Sequence, residues 1–260
     1  MNGSGPAVRD GRYVVVGGPT VVFDLGGLRL ISDPTFDPPT DYGMLRKTEG
    51  PAVDPEALGH LDIALISHDD HKDNLDHRGR QVALEAGVVI STHHAARRMG
   101  GAARGLAAGE SLTLGELTIH AVEAVHGPAD GERDSRGFVN CEVIGFVLQT
   151  HATQMFLSGD TTSLDMVRAV AERFGPMDYA VLHAGRASVP AKFAGRPLSM
   201  TADQAATAAR LLSAQRVVVV HQTQWAHFTQ GPAHTRAAFE SAGLGSVLAP
   251  SEPGVWGNLI

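Results

Sequence analysis

The most restrictive feature of the sequence is a recurrence: short apolar runs, each long enough for one buried strand, stop at a histidine or an aspartate. LDIALIS leads to His68, LTIHAVEAV to His126, QMFLSG to Asp160, DYAVL to His183 and RVVVV to His221. Runs this short and rich in β-branched residues read as strands rather than helices. A sheet fixes its strand ends in space, which is why binding and catalytic groups concentrate there. One such histidine is ordinarily a hydrogen-bonded structural residue. Runs that repeatedly end this way imply a shared polar edge, which surface solvation does not explain.

The order of the runs sets the architecture. RYVVVGG, TVVFDL and LRLISD open the chain as strands, the last two joined by Gly26-Gly27, a turn suited to positive φ. A proline-rich stretch over 34–58 is too long for a simple connector and suits a wall or lid. LDIALIS and VVIS read as strands and HAARRMG as a short helix. SLTLGELTIHAVEAV turns at Gly115-Glu116, and FVNCEVIGFVLQT supplies more strand. Strands and helices then alternate: QMFLS, a helix opening on Ser163 with Asp165 in its first turn, DYAVL, and a helix marked by the Thr201/Gln204 capping-box pattern. RVVVV, the helix TRAAFESAG and a last strand, SVLAP, complete the series. Sheets buried on both faces need covering layers, so the expected fold is an α/β, four-layer αββα sandwich forming one domain over 1–260.

SHDDHKDNLD, from Ser67 to Asp76, concentrates the polar chemistry. Asp69, Asp70, Asp73 and Asp76 repel one another unless solvated or neutralised by a cation, and imidazole with carboxylate is the ligand mix of zinc, iron or manganese. The single Cys141 excludes an intrachain disulfide and a cysteine-rich zinc ribbon, and reads as buried strand filler. No serine-hydrolase elbow, P-loop, dinucleotide fingerprint or H-E-x-x-H helix is present. A net charge of −7 argues against nucleic acid as partner. No run has the length of a membrane span, and MNGSGPAVRDGRY lacks a signal-peptide layout, so a cytoplasmic location is expected.

Taken in order, these pieces resemble the metallo-β-lactamase-fold hydrolases, and within them the ascorbate-6-phosphate lactonase-like branch. GGPTVVFDLGGLRLISDPTFD, the strand-then-histidine loop, His126 in AVHGP, SGDT and VVVVHQTQWAHF carry the resemblance across nearly the whole chain. It implies the same sandwich, with one or two divalent metal ions at the sheet edges, zinc first and manganese or iron as alternatives. The family's H-x-H-x-D-H motif departs here to H-D-D-H-K-D-N. Either Asp69 stands in the place of the first histidine, or the loop carries an extra residue and His68 keeps that place. Both registers retain His71 and Asp73. His126 matches the third-motif histidine, Asp160 the bridging carboxylate and His221 the last histidine of the second site. The implied first site is His68 or Asp69 with His71, His126 and Asp160. The second is Asp73, Asp160, His221 and Asn74, looser because an amide oxygen is a weaker ligand than imidazole. Gly17-Gly18-Pro19 stands where many lactonase-like relatives carry a histidine.

The chemistry implied is hydrolysis of a small-molecule ester, lactone or phosphoester by metal-activated water. Asp73 would orient that water or take its proton, with His183 and His227 contacting substrate or supporting ligands. His227 in WAHF equally suits packing beside Trp225 and Phe228. Arg46, Lys47 and Arg186 are candidate anchors for an anionic group. The rival readings are a phosphodiesterase resembling the phospholipase D or tRNA-processing branches, and a degenerate member with a structural metal. An open ligand position facing a cleft separates a catalytic from a structural site. A homo-oligomer is compatible with all three.

Overall fold

A computed structural model of the chain describes residues 11–133, 137 and 139–259. The amino-terminal MNGSGPAVRD and Phe138 lie outside the described residues. A seven-stranded sheet has the order β15-β1-β2-β3-β6-β7-β8, and a six-stranded sheet the order β14-β13-β12-β11-β10-β9. The first is built from β1 (Arg12–Gly17), β2 (Thr20–Leu25), β3 (Leu28–Ser32), β6 (Ile63–Leu65), β7 (Val88–Ser91), β8 (Arg104–Gly105) and β15 (Trp256–Asn258). The second comprises β9 (Ser111–Leu114), β10 (Leu117–Glu123), β11 (Ile144–Gln149), β12 (Gln154–Leu157), β13 (Tyr179–His183) and β14 (Arg216–Val220). The loop over 34–58 carries a small hairpin, β4 (Thr40–Asp41) with β5 (Arg46–Lys47), and the helix α1 (Pro55–Leu58).

Period-two alternation divides the central strands between two cores. In β1, Tyr13 and Val15 join the core between the sheets, while Val14 and Val16 face the outer layer with Leu58, Val82 and Met99. Those three belong to α1, α2 (His77–Glu85) and α3 (His93–Met99). In β14, Val218 and Val220 point inward, and Val217 and Val219 pack toward Val167, Ala205 and Phe239. These lie on α4 (Leu164–Phe174), α5 (Ala202–Leu211) and α6 (Pro232–Ser241). Helices therefore cover both outer faces, the four-layer α/β sandwich that buried strands require. The expected caps form: Ser163 accepts from Met166 N–H, and Thr201 and Gln204 complete a reciprocal capping box.

Two strand expectations are corrected. β11 starts at Ile144, which pairs with the last residue of β10, Glu123, so Cys141 has no strand opposite it and is buried in a loop. SVLAP is a 3-10 turn over Gly245–Val247 followed by one parallel bridge, Val217 to Leu248. The carboxyl-terminal strand is instead Trp256–Asn258, paired antiparallel with β1. Among the described residues, no helix is long and apolar enough to cross a membrane.

Candidate metal centre

β3, β6 and β7 run parallel, as do β12, β13 and β14, so their carboxyl ends open on one edge of the sandwich. Asp33 follows β3, the 67–76 loop follows β6, Asp160 follows β12, His183 ends β13 and His221 follows β14. His126 arrives from the end of β10. His221 is held in the left-handed region (φ 64), its N–H donating to the Gly18 carbonyl at 2.6 Å. A Cβ on Gly185 would lie 1.7 Å from the His221 carbonyl oxygen, so only glycine fits beside that turn.

Three imidazoles converge. His71 Nδ1 lies 3.1 Å from His68 Nε2 and 3.0 Å from His126 Nε2. His126 Nδ1 donates to the Leu198 carbonyl at 2.6 Å; a carbonyl only accepts, so Nε2 of the neutral ring is a bare lone pair. Burial pushes the His68 pKa down to about 3 and holds His71 and His126 below the ordinary imidazole value, neighbouring imidazoles adding to the first two. No placement of protons on three neutral rings makes both contacts full hydrogen bonds. A shared cation satisfies all three, since nitrogens about 2.0–2.1 Å from a tetrahedral metal stand about 3.3 Å apart. Cys141 Sγ lies within 4.8 Å of these nitrogens, and burial pushes its pKa well above the usual thiol value.

A second group joins carboxylates to imidazoles. His221 Nε2 stands 3.3 Å from Asp73 Oδ2 and 3.4 Å from Asp160 Oδ1, neither contact having hydrogen-bond geometry. His183 Nδ1 donates to Asp160 Oδ1 at 3.0 Å, and its Nε2 lies 3.6 Å from Asp33 Oδ2. His227 Nε2 donates to Asp73 Oδ2 at 2.9 Å. Burial opposes charge on Asp73, but His227 and His221 hold its carboxyl well below the usual range; His221 and His126 do the same for Asp160. Burial likewise opposes charge on His221, yet Asp160 and Asp73 raise its pKa. Asp73 Oδ1, Asp160 Oδ2, Asn74 Oδ1 and both His221 nitrogens are buried without a hydrogen-bond partner. Such orphaned acceptors fit a resident cation.

A model of the family described as the β-lactamase superfamily domain matches residues 29–222. The chain belongs to the β-lactamase superfamily. A relative from Methanosphaerula palustris, named a UPF0173 metal-dependent hydrolase, is 26% identical over 204 residues, covering 76% of this chain and 87% of its own. The isothiocyanate hydrolase from Delia radicum gut bacteria superposes with a TM-score of 0.81 at 20% identity, over 95% of this chain and 98% of the other. A diiron β-hydroxylase from Streptomyces venezuelae shares the fold over 95% of this chain and 49% of its own, with a TM-score of 0.63 at 18% identity.

Within this superfamily member, His68 and not Asp69 stands beside His71 and His126. Asp69 and Asp70 are both bound by the Arg98 guanidinium of α3. Asp76 is spent structurally: it accepts from Phe36 N–H, Asp37 N–H and Gly79 N–H, and pairs with Lys47 Nζ at 2.9 Å. Asp73 alone of the four loop acids faces the cluster. Lys47 is buried in that pair, which removes it from the candidate anion anchors; Arg46 is exposed and Arg186 donates to Thr229 Oγ1. Asn74 is buried, its Nδ2 donating to Ser67 Oγ at 3.5 Å. At Gly17 a Cβ would sit 2.0 Å from Gln224 Nε2, so an amide fills the space beside the glycine pair.

Asp33 and Lys192 join the site without being among the candidates named from the sequence. Asp33 ends the apolar run LRLISD and obeys the same strand-end rule as the others, so its signal is present. Ser67 N–H donates to its Oδ1 at 2.7 Å, yet burial pushes its pKa up to about 8. Lys192 sits in an irregular loop, where nothing local announces a site. A cleft of about 40 Å³ opens beside the cluster, lined by His71, Asp73, His126, Asn140, Lys192 and His227 with apolar residues around them.

Proposed function

We propose that this chain is a metal-dependent hydrolase acting on a small-molecule ester, lactone or phosphoester. The observation that carries this reading is the convergence of His68 and His126 on His71 at 3.0–3.1 Å, with His71 and His126 lining a cleft shared with Asp73 and His227. A site facing a cleft suits turnover, whereas a structural site is closed by protein ligands. The name of the Methanosphaerula palustris relative supports the reaction class.

His68, His71, His126 and Asp160 hold a first ion in this reading, and Asp73, Asp160 and His221 a second, with Asn74 Oδ1 its weakest donor. Zinc suits the imidazole-rich group; iron or manganese suits the carboxylate-rich one. A bound ion supplies Lewis acidity and lowers the pKa of water. Asp73 stays charged and orients the attacking water rather than storing a proton. His227 lines the cleft and is bonded to Asp73 through Nε2, which leaves its buried, unpartnered Nδ1 as the acceptor for a proton from the attacking water. His183 is buried between two carboxylates and does not line the cleft, so it positions Asp160 rather than touching substrate.

Metal analysis of protein purified without chelator, followed by hydrolysis of a panel of lactones, phosphodiesters and carboxylic esters, tests the proposal. The expected result is a stoichiometric transition metal and turnover of at least one class that Asp160→Ala abolishes. Absence of metal, or equal turnover by the variant, removes the mechanism.

A further inference from the structure

The cleft contains a cation that the metal reading does not use. Lys192 Nζ lies 3.0 Å from His71 Nε2 and 3.1 Å from Asn140 Oδ1, both uncharged partners. Among the described residues it forms no ion pair with a carboxylate. Other basic side chains around the site are matched: Lys47 by Asp76, Arg98 by Asp69 and Asp70, Arg196 by Asp130 and Glu132. Asn140 adds a second donor, since its Nδ2 is buried without a partner. The residues immediately after Lys192 are constrained: Phe193 and Ala194 adopt left-handed backbone (φ 48 and 52) although neither is glycine. Such conformations persist where surrounding structure enforces them, commonly at ligand clamps.

Tautomer chemistry makes the Lys192 contact with His71 conditional. When His71 Nδ1 serves as a ligand, the ring proton sits on Nε2, which then cannot accept from an ammonium. Lys192 is left with Asn140 Oδ1 as its acceptor and a charge facing the cleft. The remaining wall is apolar, formed by Met44, Leu45, Val189 and Leu198.

We propose that Lys192, supported by Asn140 Nδ2, is the specificity-determining group of the cleft and receives an anionic oxygen group carried by the substrate beside its scissile bond. The substrate class is a compact ester whose acyl part ends in a carboxylate or phosphate. The reaction assigned rests on the hydrolase reading, but the anion site does not. A charge-assisted contact of this kind discriminates strongly because its loss leaves a partly buried charge unmatched.

The test uses the zinc-loaded full chain and two esters of equal acyl length, mono-p-nitrophenyl succinate and p-nitrophenyl butyrate. The wild type should prefer the succinyl ester. Lys192→Met should lower the succinyl-to-butyryl ratio of kcat/KM about tenfold, mainly through KM, and Lys192→Arg should restore most of it. Asn140→Ala should lower the ratio about threefold. An unchanged ratio, or an equal loss on both esters, overturns the assignment; zinc content measured on each variant separates recognition from damage at His71. Calorimetric titration with succinate covers the case in which neither ester is turned over. Binding by the wild type that weakens about tenfold in Lys192→Met supports the anion site even where the hydrolase reading fails. No succinate binding, or equal binding by both proteins, overturns it.

Discussion

The two halves of the polar edge are built on different principles. His68 and His126 bring neutral nitrogens to 3.0–3.1 Å from His71 Nδ1. Asp73, Asp160, His183, His221 and His227 pair acids with bases, so much of their charge is already matched inside the chain. A cation entering the first half relieves lone-pair crowding; one entering the second must displace existing ion pairs. The difference teaches that ligand type alone does not rank two sites, because the competing internal contacts set the net gain. It also predicts a firm first ion and a looser second one.

The largest expected effect comes where both halves share an anchor. The Lys47–Asp76 pair, fully buried, ties the loop that feeds both clusters to the 34–58 segment. Lys47→Met leaves a buried carboxylate unmatched and should destabilise the fold by about 3–5 kcal/mol, measured by urea denaturation. Both ions should then weaken together; a selective loss of one would show that the halves are held independently.

Next in size, in zinc titrations His126→Ala should weaken the first proposed site by more than about a hundredfold, exceeding the 10–100-fold typical of groups that merely support ligands. His221→Ala should leave one zinc bound per chain. Competitive chelator titration measures both, and equal losses would erase the ranking of the two halves.

Protonation of groups along the polar edge acts on stability with both signs. The His68 value of about 3 lies below its ordinary imidazole value, so the folded state binds fewer protons than the unfolded one. That stability is present above about pH 6.5 and is lost as pH falls, by about 2 kcal/mol at pH 5. Asp33, raised to about 8, works in reverse: its contribution is present below the ordinary carboxylate range and is lost as pH rises toward 8. Because His71, His126 and His183 are also held below the ordinary imidazole value, the urea midpoint of chelator-treated protein should fall between pH 7 and 5, and Asp33→Asn should steepen that fall by removing the opposing contribution. An acid limb that begins only below pH 4 would remove the histidines from this account.

Much of the sandwich is legible because buried strands leave compositional marks. RVVVV and DYAVL specify β14 and β13, Ser163 and the Thr201/Gln204 box specify two helix starts, and the strand-end rule marks His126, Asp160, His183 and His221. Trp256–Asn258 is not legible, since a three-residue edge strand carries almost no pattern and forms by pairing with β1. The register of the 68–74 loop also escapes sequence, because the deciding contact comes from Arg98 on a separate helix. Lys192 and Cys141 escape for the same reason: tertiary folding brings them to His71 from distant loops.

Asn74 offers a finer test of the weaker half. Its Oδ1 is buried and unpartnered, and imidazole there would replace an amide oxygen with a better ligand for a borderline metal. Asn74→His should tighten the second ion about tenfold relative to the first in zinc titrations, provided thermal melts show that the larger ring is accommodated. No change in the second affinity would place Asn74 in a packing role with Ser67.

The smallest expected effect concerns Asp69 and Asp70 in the 67–76 loop. With His68 rather than Asp69 beside His71, the chain must pass Asp69 and Asp70 outside the cluster, and Arg98 receives both acids. Arg98 is 42% exposed, so solvent screens the pair and Arg98→Gln should cost no more than about 1 kcal/mol of stability. The change should nevertheless act on the first half selectively, because the freed segment lies between two of its imidazoles. Chelator titration should show a modest weakening of the first zinc with the second unchanged. If instead the second weakens alone, that segment belongs to the carboxylate half, and the loop distributes its ligands differently from the arrangement argued above.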